Sequence, residues 1–235
     1  MLTWFKRDWF SGTFKQRLPL VLALLTYQTL YFPINRYLAD KGGWVADIEI
    51  IDGNMPLIPI FVIPYVLGFI LMPLFPLIAA WKFPRPLFQE YMVAFFLAMT
   101  LGFTIWLLLP AYVVKQPIEG SGFFLGLVKR LHGGDDTYGT HNAIPSSHVY
   151  YISLAMIYYI RYNPRLFWPM TTFAILNALS TMFTHQHYLL DVLAGFGMTW
   201  AVWRVAHDIA TPKVQAFEVK HGLVKPSGDQ SAATS

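Results

Sequence analysis

Cysteine is absent from the 235 residues, which excludes a disulfide scaffold, a thiolate metal site and a cysteine nucleophile. Charge is scarce as well: Asp, Glu, Lys and Arg make up 13% of the chain against 55% hydrophobic residues, too little for a solvated surface of ordinary polarity. The solvent this implies is lipid, and the chain reads as an integral membrane protein. The excess of 17 Lys and Arg over 13 Asp and Glu is then a topology signal, and no nucleic-acid partner is expected. No internal repeat is evident, and no small-residue cleavage site follows the first apolar stretch, which is expected to be a retained span.

A bilayer core about 30 Å thick takes roughly 20 helical residues. Six apolar stretches meet or approach that length: 18–38, 57–80, 88–113, 146–161, 166–183 and 188–206, the fourth being short. The expected fold is therefore an all-α bundle of six transmembrane helices. Pro33, Pro59, Pro64, Pro73 and Pro76 lie in or beside these stretches and predict kinks, because neighbouring helices can satisfy the freed backbone groups. Twelve of the 17 basic residues fall on the side of the two termini, while Arg36, Lys41, Lys115, Lys129 and Arg130 share the other with most of the acids. By the positive-inside rule both termini are expected to be cytoplasmic. The expected organisation is a basic, amphipathic N-terminus over 1–17, a catalytic membrane domain over 18–210, and a mobile polar tail over 211–235.

Ionisable groups inside a membrane are costly and usually have a partner or a task. Two polar clusters open spans on the side opposite the termini. One is His141-Asn142-Ala143-Ile144-Pro145-Ser146-Ser147-His148, and the other is Thr184-His185-Gln186-His187 with Asp191 beyond it. His187 and Asp191 are four apart and share a face if both are helical, so the carboxylate can orient the imidazole as a nucleophile or base. Pro145 suits a first helical turn, where Ser146 and Ser147 add hydroxyls to free backbone amides and favour an anion such as phosphate, with His148 alongside. Phosphoester chemistry fits: one histidine attacks phosphorus, a second protonates the leaving oxygen, and fixed donors hold the equatorial oxygens. Lys115, expected at the end of the third span, supplies a cation. His185, Thr184 and Asn142 are expected to line the site. His132, His141, His207 and His221 read as solvated, and Asp135-Asp136 as a solvated turn in a Gly-rich loop.

These clusters resemble the second and third motifs of the type-2 phosphatidic acid phosphatase superfamily. Pro145-Ser146-Ser147-His148 is similar to Pro-Ser-Gly-His with Ser for Gly. Ser180-Thr181, five residues, His187, three residues and Asp191 is similar to the third motif with Thr for its Arg, and the first motif is reduced to Lys115-Gln116-Pro117. The resemblance implies a phosphohistidine formed on His187, with Asp191 orienting it and His148 as general acid. It also implies that Lys115, Ser146 and Ser147 hold phosphate, that no metal or organic cofactor is needed, and that the substrate is a membrane lipid phosphoester. Thr184 to Tyr188 with Asp191 and Val192 looks more like the inositol phosphorylceramide and sphingomyelin synthase branch, whose acceptor is an alcohol or ceramide-like lipid instead of water. The charge placement that sets the termini in the cytoplasm puts the expected site on the extracytoplasmic face. The same residues leave two other chemistries open: a zinc site from His148, His185, His187 and Asp191, and a proton relay or transporter built on His187 and Asp191. A degenerate member of the family, given the lost arginine, is a further alternative.

Overall fold

The computed structural model describes residues 13–220. The expected N-terminal segment falls outside these residues up to position 12, as do the tail beyond 220 and His221.

The first apolar stretch is two helices, α1 (Phe14–Gln28) and α2 (Tyr31–Ala39). The interruption at Thr29 and Leu30 has a cause four residues later. Pro33 has no N–H for the Thr29 carbonyl and its ring crowds that carbonyl, which accepts instead from the Phe32 N–H at 3.2 Å. Two-residue strands β1 (Trp44–Val45) and β2 (Ala111–Tyr112) pair in parallel, and are the one sheet among the described residues. A short helix α3 (Glu49–Asp52) and a 3-10 turn (Pro59–Phe61) lead into α4 (Val62–Lys82), which is followed by α5 (Arg85–Leu108). The third stretch was expected to run helical to 113, but Pro110 disfavours helical geometry at the residue before it, and Leu109 leaves the helix at φ −135°.

Helix α6 (Phe123–Tyr138) occupies the connection to α7 (Ser147–Tyr162). Asp135 and Asp136, expected in a turn, are part of α6. A 3-10 turn (Pro164–Leu166), α8 (Phe167–Phe183) and α9 (Leu189–Val205) follow. The polar stretch from 211, expected to be a mobile tail, is helical as α10 (Thr211–Lys220), joined to α9 through a π-helical turn (Ala206–Ala210).

Five helical segments are long and apolar enough to cross a bilayer: Phe14–Ala39, Pro59–Lys82, Arg85–Leu108, Pro164–Phe183 and Leu189–Phe217. They make the chain a mostly helical, multi-pass membrane protein. The expected fourth span is not among them. At about 1.5 Å per residue the 16 residues of α7 cover about 24 Å, and their polarity is tolerated because α4, α5, α8 and α9 all pack against the helix. Tyr150, Tyr151, Tyr158 and Tyr159 of this helix are buried, and the hydroxyls of the last three have partners. Tyr151 donates to the Met72 carbonyl at 2.9 Å, an acceptor that Pro76 leaves without its helical N–H, and Tyr159 donates to the Phe75 carbonyl at 2.7 Å. On α5 the small residues Ala94, Ala98 and Gly102, spaced four apart, let these rings approach; a Cβ at Gly102 would stand 2.9 Å from the Tyr150 hydroxyl. Buried Arg17 of α1 ties the bundle at the opposite end by donating to the Ala80 and Phe83 carbonyls, where α4 terminates.

Candidate active site

The two polar clusters meet at the end of the bundle where α7 and α9 begin. What aims His187 is the way α8 stops. Thr184 caps the helix, His185 adopts a left-handed conformation at φ 53°, and the amides of His185 and Gln186 turn back to the Met182 and Thr181 carbonyls at 2.9 and 2.8 Å. This is a Schellman termination with histidine at the position usually taken by glycine. The His187 amide also donates to Thr181 O, at 2.9 Å, so the chain reverses tightly and Gln186 and His187 are fixed immediately before α9.

His187 lies outside that helix, in contrast to the expectation of a shared helical face, yet its Nδ1 is 3.2 Å from Asp191 Oδ2. The same carboxylate oxygen accepts the Tyr188 N–H at 2.9 Å. Asp191 therefore caps α9 and orients His187 with one atom. With Nδ1 donating to the carboxylate, the Nε2 lone pair of His187 is available to an electrophile.

The His141–His148 cluster is docked onto the cluster of His187 and Asp191 by backbone. The Ser146 amide donates to the Asp191 carbonyl at 3.1 Å. The approach requires Gly195, one turn further along α9, where a Cβ would stand 2.9 Å from Val149 Cβ and 3.1 Å from the Ser146 carbonyl. Pro145 precedes the cap of α7 instead of occupying its first turn, and its carbonyl accepts the Trp106 indole N–H at 3.3 Å. Ser146 holds the N-cap position but its hydroxyl makes no cap bond; it is fully buried and has no partner among the described residues. His148 is buried, with its ring centroid 6.0 Å from that of His187.

Lys115, Asn142, His148, Gln186 and His187 line one small cavity, together with Tyr65 of α4. Lys115 does not end a helix. It follows β2 on an extended segment, and its Nζ donates to the His185 carbonyl at 3.0 Å. Two expected site residues are placed otherwise, and His185 lines a different cavity that His187 also borders. Ser147 faces a separate apolar cavity of about 270 Å³ that also reaches His148 and is walled by residues such as Phe32, Phe69, Met72, Met99 and Phe103. Thr184 returns its hydroxyl to the Ser180 carbonyl at 2.6 Å, so it serves the helix end. His185 turns its Nε2 to the Met55 carbonyl at 3.0 Å, and with Asp47, Asp52, Gln116 and Tyr188 borders a third cavity of about 180 Å³ on the other side of His187. Among the described residues no three His, Asp or Glu side chains gather as metal ligands, and His185 points away from the group a zinc site would need.

Two histidines expected to be solvated are structural. His132 is buried with Nε2 2.9 Å from the Thr184 carbonyl. His141 stacks on Tyr112 at 4.9 Å, and its burial pulls its pKa below the ordinary imidazole range. Sequence reasoning missed Tyr65 and Gln186 as members of the site. Gln186 stands beside His187, and a buried amide next to a nucleophile is a usable signal; Tyr65 is 122 residues from His187 in sequence, and no local pattern links them.

The sequence profile of the PAP2 superfamily matches residues 42–205, which include Tyr65, Lys115, Asn142, His148, Gln186 and His187 of the cavity. No curated protein and no solved structure matches the chain.

Proposed function

Because this chain belongs to the PAP2 superfamily, whose membership supports phosphatase-type phosphoester hydrolysis, we propose that it is a membrane enzyme that takes the phosphoryl group from a lipid phosphoester through a phosphohistidine on His187. The observation that carries this reading is the pairing of His187 Nδ1 with Asp191 Oδ2 at 3.2 Å beside buried His148. The Nε2 lone pair of His187 attacks phosphorus, the P–O bond to the leaving oxygen breaks, and a proton from His148 goes to that oxygen. In the second half an acceptor hydroxyl attacks phosphorus, the P–N bond breaks, and His148 takes the hydroxyl proton. Lys115, Asn142 and the Ser146 hydroxyl hold the phosphoryl oxygens. The apolar cavity that reaches His148 suits the hydrocarbon chain of the substrate.

Helix α7 begins at this site and ends at Tyr162, near the starts of α5 and α8, which supports reading it as a sixth crossing. With six crossings, the basic residues on the side of the termini favour cytoplasmic termini and an extracytoplasmic site.

The test is incubation of the detergent-purified chain with lipid phosphates bearing ³²P, with and without alcohol acceptors. An acid-labile phosphoenzyme lost in His187→Ala is expected. Free phosphate then identifies a phosphatase, and an acceptor-dependent lipid product identifies a transferase. Native turnover by His187→Ala would sink the mechanism.

A further inference from the structure

Four polar atoms around His187 and His148 are buried without a hydrogen-bond partner among the described residues: Ser146 Oγ, His148 Nδ1, Gln186 Nε2 and Asp191 Oδ1. The other nitrogen of His148 is held. Its Nε2 is 3.1 Å from the hydroxyl of Tyr65, whose ring centroid lies 4.6 Å from the imidazole, and Phe69 packs edge-on at 4.6 Å. The Tyr65 hydroxyl also donates to Gln186 Oε1 at 3.3 Å.

Tyr65 has one hydroxyl proton, and the amide oxygen of Gln186 can only accept. In the arrangement with that proton on Gln186 Oε1, the phenolic oxygen offers His148 only lone pairs, so the hydrogen between them belongs to His148 Nε2. That leaves Nδ1, buried without a partner among the described residues, to exchange a proton, and it leaves the two hydrogens of Gln186 Nε2 without a protein acceptor among the same residues.

We propose that Tyr65 is a positioning residue that makes Nδ1 the acidic atom of His148, and that Gln186 is a substrate-binding residue whose Nε2 donates to a phosphoryl oxygen. The proposal rests on the phosphohistidine reading. It assigns roles to two residues outside the motif positions, and it supplies a neutral donor beside the nucleophile.

The test compares two esters in the full chain. Dodecyl phosphate expels an alkoxide, which needs a proton in the transition state; 4-nitrophenyl phosphate expels a stabilised phenolate, which needs none. Tyr65→Phe keeps the ring and removes the hydroxyl. Its kcat/KM, which reports phosphoenzyme formation and not the later step that both esters share, is expected to fall about tenfold or more on dodecyl phosphate, while kcat/KM on 4-nitrophenyl phosphate stays within about twofold. Equal losses on both esters would mean a merely structural role and overturn the assignment. Gln186→Met is expected to weaken inhibition by orthovanadate about tenfold, and unchanged inhibition removes Gln186 from the phosphate site. His187→Ala separates the two levels of the argument. If it retains turnover, the phosphohistidine reading falls and this proposal with it; if it is inactive while Tyr65→Phe shows no ester preference, only this proposal falls. Should Tyr65→Phe not fold, ¹⁵N resonances of His148 in the unaltered protein report the tautomer directly. A protonated Nε2 with a pyridine-like Nδ1 is expected, and the reverse assignment overturns the proposal.

Discussion

The two ends of the bundle handle buried polarity in opposite ways. At the end where α5 begins, the Glu90 carboxylate is enclosed and both of its oxygens are engaged. Arg161 forks onto the two of them, Tyr158 donates to Oε1 at 3.2 Å, and His207 Nδ1 stands 3.1 Å from Oε2. At the other end Asp191 is buried as deeply, yet only one of its oxygens is used, and Ser146, His148 and Gln186 each leave an atom unmatched. A buried polar atom without a partner costs about 1–3 kcal/mol, so four such atoms beside His187, two of them on the cavity-lining residues His148 and Gln186, are a standing cost that a ligand can relieve. A self-contained cluster holds helices together, and on the proposed reading the incomplete one is completed by substrate.

The comparison breaks hardest at Asp191. Asp191→Asn can still accept the Tyr188 N–H with the oxygen that also meets His187 Nδ1, so α9 stays capped and the imidazole stays aimed, but the negative charge that stabilises a phosphorylated, positively charged imidazole is gone. Phosphoenzyme formation is expected to fall about a hundredfold or more, with little change in thermal stability; near-native rates would mean that the carboxylate charge is incidental. Glu90→Gln should do the reverse. Removing one member of a partly buried ion pair costs about 3 kcal/mol, visible as a lowered unfolding midpoint in detergent, while kcat per folded molecule is retained. A kcat loss beyond about threefold at constant fold would show that the two ends are coupled.

How legible these ends were in the sequence follows from the range of the interactions. The apolar spans are composition over a 20-residue window, and most of them could be read. Helix ends were displaced wherever one proline acted at a distance, as Pro33 does on Thr29 and Pro110 on Leu109. Helix α7 was readable as a short apolar run, but its burial by four other helices is a tertiary fact. Within the site, the His187 to Asp191 spacing gave the right contact for the wrong local reason: a cap four residues away substitutes for a helical face. Thr184 and His185 drew attention as polar residues beside a histidine, when their positions belong to the termination of α8. Tyr65 was beyond reach because its contacts to His148 and Gln186 span 83 and 121 residues.

A smaller effect sharpens the contrast at Ser146. Its hydroxyl touches no protein acceptor among the described residues, so Ser146→Ala removes an unmatched group, and the unfolding midpoint should hold or rise slightly. Orthovanadate inhibition is expected to weaken about tenfold, on the scale of one hydrogen bond to a charged oxygen. A fall in stability without any change in inhibition would identify a structural hydroxyl.

The smallest effect expected is at His185, where two terms oppose. Holding a residue with a Cβ in the left-handed conformation costs about 1–2 kcal/mol, which His185→Gly recovers. The bond to the Met55 carbonyl, worth about 1 kcal/mol net, is lost, and glycine adds backbone entropy to the unfolded chain. The sum lies near zero, so the unfolding midpoint should move by only a few degrees. Phosphoenzyme formation should stay within about threefold, because the Schellman turn that aims Gln186 and His187 is built from main-chain atoms that glycine supplies equally well. A metal ligand at this position would behave otherwise: removing it would abolish activity, and a histidine restored there would bring it back. Measuring labelled phosphoenzyme and unfolding midpoint on the same preparation therefore distinguishes a turn residue beside the nucleophile from a member of the reacting set.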